Sequence, residues 1–396
     1  MTRTGLRAVE EWPDLVPYLL AGSGQGHNLA TGMPLVHPPV AELVRSAFRR
    51  AVEDASFTRR VSLYHGVLGD PELRERLARL YGEHYALPVT AEEVLITPGA
   101  QAAFHAVSAL AAARGRRVVF FAPEYPGYRT HPEVRYDMLL PEVVEQGDRE
   151  FRYLPPAGRL DPDVGAVIVS RPANPSGNVI GDAALAALAG ECASVGALLV
   201  VDNAYGPPIP GLAYRDMGLP WGDNVVCVQS FSKGALAGER LGFVLAPAPV
   251  VRELGELQAR VATFPPQLVQ FAAAILLRDG RYVELCGGEL RDAYQERHRL
   301  VRDRLAAGLT VPYRVHAVDG GQFAWVRLPG LAGRTAELFF TLLDRGVLVA
   351  PAAPFYLPHL HDDPHARQCV RIGVTAPAEA IIAGLDIFTE VVNEHG

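Results

Sequence analysis

The stretch Val225-Val226-Cys227-Val228-Gln229-Ser230-Phe231-Ser232-Lys233-Gly234 decides how the chain reads. Residues 225–228 are apolar on both faces, as a strand must be when helices cover a sheet on each side. The run ends in a polar turn, and ligands of open parallel sheets gather beyond the carboxyl ends of the strands. Of the 37 Lys and Arg residues in the chain, Lys233 is the one lysine. A guanidinium stays protonated, whereas a lysine can lose its proton and form a Schiff base. In a chain that uses arginine for every other cation, a lysine kept at a strand end points to amine chemistry.

Outward from that strand the same texture repeats. The runs Val94-Leu95-Ile96-Thr97, Val118-Val119-Phe120-Phe121, Val167-Ile168-Val169 and Leu198-Leu199-Val200-Val201 alternate with apolar helical segments. This predicts an α/β fold, a mostly parallel sheet sandwiched by helices. Leu241-Gly242-Phe243-Val244-Leu245 reads as a further strand. Helices are predicted over 39–52 and 71–81, the second with Asp70 as N-cap and Pro71 in its first turn. Gly22, Gly24, Gly26, Gly32, Pro34, Pro38 and Pro39 predict an irregular arm up to about residue 40. Beyond Glu289 an Arg-rich helix over 291–305, strands over 320–327, 347–350 and 370–374 and a helix over 336–344 predict a smaller α+β domain. The expected division is an arm and part of the small domain in 1–50, a large cofactor-binding domain in 51–290 and the small domain in 291–396.

Composition narrows the function. With 37 basic and 44 acidic residues the 396-residue chain carries a net charge of −7, against a nucleic-acid binder with its basic face. No apolar run is long enough to span a bilayer, and Met1-Thr2-Arg3-Thr4-Gly5 opens no apolar signal core. The chain therefore reads as cytoplasmic. Cys192, Cys227, Cys286 and Cys369 are far apart and read as buried reduced thiols rather than a disulfide or zinc framework. His65, His105, His359, His361 and His365 lack acidic or Cys partners at a metal-binding spacing and read as solvated loop residues, with no metal expected.

The other strand ends carry chemistry of their own. Pro98-Gly99-Ala100-Gln101 makes a turn into a helix, whose free N–H groups suit an anion. Asp202 closes one strand, with Tyr205 in the loop beyond; it is either a loop cap or an acid awaiting a partner. Asn174 lies in Asn174-Pro175-Ser176-Gly177, also a plain turn signal. Arg240 follows Lys233 on the same loop. Singly these are ambiguous. Together they offer an amine, a carboxylate and a phosphate cradle, the set that pyridoxal 5'-phosphate requires.

These motifs, in this order, also resemble a known family. The chain is similar over nearly its whole length to class I/II aminotransferases of fold type I, most of all to the valine–pyruvate branch. The resemblance rests on Ala122-Pro123-Glu124-Tyr125-Pro126-Gly127-Tyr128, Ser170-Arg171-Pro172-Ala173-Asn174-Pro175-Ser176-Gly177-Asn178, Asp202-Asn203-Ala204-Tyr205, Ser230-Phe231-Ser232-Lys233 and Gln368-Cys369-Val370-Arg371. It implies a homodimer that moves an amino group between an L-amino acid and a 2-oxo acid, with Lys233 carrying the internal aldimine. Asp202 would pair with the pyridinium nitrogen, Asn174 and Tyr205 with the ring oxygen, and Tyr125 would stack on the ring. Ala100, Gln101, Ser230, Ser232 and Arg240 would hold the phosphate. Tyr64 either reaches in from a second subunit or is a core aromatic. Gly32, Asn174 and Arg371 would bind the substrate, Arg371 as a fork on its α-carboxylate. Elimination, cyclisation or oxidation of an amino acid on the same scaffold stays open as an alternative. A regulator built on this fold is the non-enzymatic rival, but no helix-turn-helix or basic segment precedes the enzyme pattern. Where the family carries Pro-Gly and a polar pair, this chain has Pro351-Ala352-Ala353-Pro354-Phe355-Tyr356, which predicts an altered wall facing the substrate.

Overall fold

A computed structural model describes residues 9–21, 26–156, 158–331 and 333–395. Among them a seven-stranded sheet runs, from edge to edge, Val94–Thr97, Gly242–Leu245, Val225–Ser230, Leu198–Asp202, Val164–Ser170, Arg117–Phe121 and Tyr136–Leu139. Gly242–Leu245 is antiparallel to both neighbours, and the remaining neighbours pair in parallel. Side chains alternate along each strand, so successive residues enter two different cores. Leu95, Ile168, Val200, Val226 and Val244 pack on one face, and Ile96, Val167, Val201, Cys227 and Phe243 on the other. Burying each such aliphatic chain contributes about 1.5–3 kcal/mol, and it is this double burial that erases any polar alternation from the sequence. The four cysteines are free and buried.

The register aligns the strand ends. Ser170 pairs with Asp202, and Gly242 pairs with both Thr97 and Ser230. Polar groups at the carboxyl ends of four parallel strands thus share one edge. The helix Ala100–Ala113 starts there and packs back over the sheet. Asp70 caps the helix Pro71–Tyr85, its Oδ1 accepting from the Leu73 N–H at 3.1 Å.

A second sheet of six strands runs Ala350–Pro351, Cys369–Gly373, Phe323–Arg327, Arg314–His316, Glu150–Leu154 and Glu142–Gln146. Its last two strands form a hairpin that the sequence reading placed inside the segment 51–290. Glu150–Leu154 instead pairs in parallel with Arg314–His316. Partnering at a distance of more than 160 residues leaves no local trace. The run expected as a single strand over 347–350 divides: Val347–Leu348 pairs with His27–Asn28, and Ala350–Pro351 pairs with Cys369–Gly373.

The arm departs most from expectation. Trp12–Ala21 is a helix despite Pro17 in its interior. Leu15 is fully buried, and Tyr18 meets Phe339 and Phe340 edge-on at 5.3 and 5.9 Å. That apolar packing offsets the hydrogen bond a proline cannot donate. Gly22 and Gly24 of the expected arm lie outside the described residues, as do Met1 to Gly5. Among the described residues no helix is long and apolar enough to cross a membrane.

Candidate active site

Beyond the aligned strand ends lies a cavity of about 380 Å³. Gly32, Ala100, Gln101, Tyr125, Asn174, Asp202, Tyr205, Ser230, Ser232, Lys233, Arg240 and Arg371 all line it. Tyr64 does not. It is 94% exposed, with Phe264 edge-on at 6.0 Å, so it is no core aromatic and stays outside its own chain's cavity.

One end of the cavity is built for an anion. The helix Ala100–Ala113 follows Gly99, which holds a φ of 77°. A Cβ there would lie 2.6 Å from Arg240 Nη2, so only glycine lets the guanidinium come up to the helix start. The first N–H groups of that helix have no intrahelical partner. Ser230 Oγ accepts from the Ser232 N–H at 3.1 Å, and Arg240 Nη1 donates to Ser232 Oγ at 3.4 Å and to the Ala237 carbonyl at 3.2 Å. Arg240 itself sits at a φ of 53°, a left-handed conformation that costs a side chain about 1 kcal/mol or more. The Gln101 side chain is occupied, donating to the Gly127 carbonyl. Its backbone N–H is what remains for an anion.

At the other end stands a carboxylate. Asp202 is 8% exposed; its Oδ2 accepts from the Tyr128 hydroxyl at 2.6 Å and its Oδ1 from the Ala204 N–H at 3.0 Å. Burial pushes this carboxyl upward, against the Tyr128 and Ala204 hydrogen bonds and the nearby Lys233 charge. Behind it Glu124 is buried, bonded by Ser170 Oγ at 2.5 Å, the Tyr125 N–H at 2.8 Å and the Ser170 N–H at 2.9 Å. Burial pushes Glu124 up to about 8 in spite of those bonds. Tyr205 is buried and its phenol raised well above the usual range by desolvation, so it stays a neutral donor.

Lys233 lines the same cavity, within electrostatic reach of Asp202, Arg240 and Arg371. Its Nζ donates to the Gly32 carbonyl at 2.8 Å and stands 5.7 Å from the centre of the Tyr205 ring. Burial and then the Arg371 charge push it down to about 8, with Asp202 opposing and Arg240 assisting. An amine with that value is partly neutral near pH 7, as a nucleophile must be. Arg371, in the middle of Cys369–Gly373, is 2% exposed. It donates from Nη1 to Asn174 Oδ1 at 2.9 Å and from Nη2 to the Ala30 carbonyl at 2.6 Å. Its guanidinium lies 3.9 Å from the centre of Phe323 and 4.7 Å from that of Phe355. Burial lowers it only to about 10, so it remains charged at neutral pH. Its buried Nε has no protein partner.

Several residues of the site were not singled out from sequence. Tyr128 and Glu124 stand inside the quoted 122–128 motif, where only Tyr125 was given a role. Trp12, Phe104, Gln322 and Phe323 also line the cavity, and no local pattern marks them. The expected wall at 351–356 is displaced: none of those residues lines the cavity, and Phe355 instead backs the Arg371 guanidinium. Trp12, Gln322 and Phe323 are among the residues that line the cavity. His365 is likewise no solvated loop residue. It is buried, with Nδ1 at 2.7 Å from the Tyr153 hydroxyl.

An anion cradle, an opposed buried carboxylate and a lysine lining the same cavity fit pyridoxal 5'-phosphate, with Ala100, Gln101, Ser230, Ser232 and Arg240 able to hold its phosphate and Asp202 its ring nitrogen. Comparison with known proteins agrees. The family model for aminotransferase class I and II matches residues 27–137 and 142–383. The chain is 28% identical over 384 residues to the valine–pyruvate aminotransferase of Escherichia coli (strain K12), covering 91% of this chain and 89% of that protein. With the enzyme of the same name from Mycobacterium tuberculosis it shares 30% over 364 residues, covering 89% and 87%. The crystal structure of valine–pyruvate aminotransferase from Salmonella typhimurium LT2 superposes with a TM-score of 0.87 at 26% identity, covering 96% of this chain and 99% of that one. A match on this scale, on a cavity with these donors, means that the chain belongs to the class I and II aminotransferases and is a pyridoxal-phosphate-dependent enzyme of fold type I.

Proposed function

We propose that Lys233 is the amine that attaches the cofactor and, once displaced by an amino donor, the base that moves the proton from the donor's Cα. Pyridoxal phosphate supplies an aldehyde that condenses with amines and a ring that accepts electrons. The chain's own residues do the rest. Ala100, Gln101, Ser230, Ser232 and Arg240 bind the phosphate and fix the ring's position. Asp202, oriented by Tyr128, holds a proton on the ring nitrogen. Tyr205 donates to the ring oxygen, Asn174 assists, and Tyr125 lies against the ring. Arg371 takes the substrate carboxylate with Gly32 and Asn174 beside it, leaving the Cα proton toward Lys233. The observation that carries this reading is the placement of the chain's one lysine: its Nζ is 2.8 Å from the Gly32 carbonyl, in a cavity shared with Arg371 and Asp202.

Valine and pyruvate appear in the names of two relatives, and pyruvate is the acceptor proposed here. A homodimer with Tyr64 reaching into the neighbouring cavity is favoured by the apolar surface around it, where Val61, Leu63, Tyr64 and Val261 are 41%, 57%, 94% and 73% exposed. Four buried free thiols suit a cytoplasmic enzyme. Purified protein loaded with cofactor and mixed with one amino donor should release one equivalent of 2-oxo acid per site and stop until pyruvate is added. Continuous release of ammonia without an acceptor would show elimination instead, and refute amino transfer.

A further inference from the structure

The cavity is lined by a polar group that the roles above leave unused. Gln322 is 1% exposed and lines the cavity, yet neither Nε2 nor Oε1 of its carboxamide has a hydrogen-bond partner. Its backbone is anchored at the entry to Phe323–Arg327, where its carbonyl accepts from the Val374 N–H at 3.1 Å. Its location is set by a common reference: a Cβ built on Gly32 would lie 3.1 Å from Gln322 Nε2 and 3.9 Å from Lys233 Nζ. The amide and the Lys233 amine thus border the same space above Gly32.

A buried amide with both its donor and its acceptor unmet is costly, and native proteins rarely tolerate one without a ligand or water to meet it. No protein group around it does so. Trp12, Met33, Phe104 and Phe323 offer apolar surface. Of the cations lining the cavity, the roles above give Lys233 to the cofactor, Arg240 to its phosphate and Arg371 to the substrate α-carboxylate. A side-chain carboxylate on the substrate would find no uncommitted cation beside Gln322 among these groups. A neutral group able to donate, to accept or both would give the amide a partner that this apolar surface cannot.

We propose that Gln322 determines donor specificity: its carboxamide hydrogen-bonds the side chain of the amino-acid substrate and selects donors that carry a hydroxyl or carboxamide over aliphatic donors of the same shape. This rests on the aminotransferase reading above and adds the substrate class. A hydroxyl pairs with the amide, whereas a methyl in its place leaves the amide buried and unpaired, a difference of about 5- to 150-fold.

Matched pairs isolate the effect, since serine and 2-aminobutyrate, or threonine and valine, differ only by hydroxyl for methyl. The wild-type enzyme should show kcat/KM for the hydroxyl member at least about fivefold above that for its partner. Gln322→Met, of similar volume but apolar, should abolish or invert that ratio, and Gln322→Leu should do the same. The ratio is read within each protein, so partial loss of folded enzyme cancels. Binding supplies a readout apart from turnover: α-methylserine and isovaline, which lack a Cα proton, should show the same preference in Kd for the wild type and lose it in Gln322→Met. An unchanged ratio in both variants overturns the inference while amino transfer stands. A uniform loss across every donor, alanine included, also overturns it, because the amide would then serve the common carboxylate. Failure of every donor to yield a 2-oxo acid overturns both readings.

Discussion

Replacing Arg371 by lysine keeps the charge and removes the fork, so it tests carboxylate recognition more cleanly than truncation. The guanidinium is 2% exposed, holds Asn174 Oδ1 at 2.9 Å and the Ala30 carbonyl at 2.6 Å, and lies between Phe323 and Phe355. A lysine ammonium is a point charge that cannot serve both carbonyls and still present two parallel N–H groups to a carboxylate. The lost contacts to Asn174 and Ala30 are present with and without substrate, so they lower stability rather than catalytic efficiency. What differs between free and bound enzyme is the charge-assisted pair to the substrate, worth about 1.5–3 kcal/mol, or about 10- to 150-fold. The expected result of Arg371→Lys is therefore a fall in kcat/KM inside that range, of similar size for every amino donor and every 2-oxo acid, since all carry the carboxylate. The measurement is kcat/KM for alanine, serine, valine and pyruvate in both proteins, with the absorbance of the bound cofactor confirming equal loading. A loss confined to one donor would refute the reasoning and make Arg371 a reader of side chains.

The remaining expectations are shorter. Lys233→Ala and Lys233→Arg should both abolish turnover and the absorbance of the lysine-linked cofactor, because no other lysine exists to replace it; normal turnover in either would sink the assignment. Lys233 falls from an ordinary 10.5 to about 8, so between those values the folded cofactor-free protein binds fewer protons than the unfolded chain and its stability should rise with pH. Urea denaturation of apo-protein across that window should show the slope, and Lys233→Met should remove it. Tyr128→Phe takes one of two hydrogen bonds from a buried carboxylate. That loss of about 1.5–3 kcal/mol should lower kcat for all donors while cofactor affinity changes less, and an unchanged kcat would show that Tyr128 does not orient Asp202. Gly99→Ala, strained at a φ of 77° and driven into Arg240 Nη2, should weaken cofactor binding by about tenfold or more in a fluorescence titration. Mixing Tyr64→Phe subunits with Lys233→Ala subunits should give dimers whose one lysine-bearing site has an intact Tyr64 hydroxyl from its neighbour, with activity above that of the Tyr64→Phe parent.

The sequence by itself determined the layered α/β architecture, because burial on both faces demands uninterrupted apolar runs such as 198–201 and 225–228, and those are visible locally. It also pointed to the chemistry, since a single lysine among 37 cations, kept at a strand end, suits an amine, and a strand end followed by Gly99 and a helix offers free N–H groups to an anion. Other features needed the folded chain. The helix Trp12–Ala21 carries Pro17, and its stability comes from packing on Phe339 and Phe340, more than 300 residues away. The hairpin 142–154 joins the second sheet through backbone pairs that no side-chain pattern encodes. Phe355 belongs to the expected wall, but the folded chain sets it against the Arg371 guanidinium, and Trp12 and Gln322 line the cavity where none of residues 351–356 does. Whether a glutamine is satisfied is a property of everything around it, so only the tertiary structure could decide that Gln322 has both ends of its amide unpaired beside Lys233.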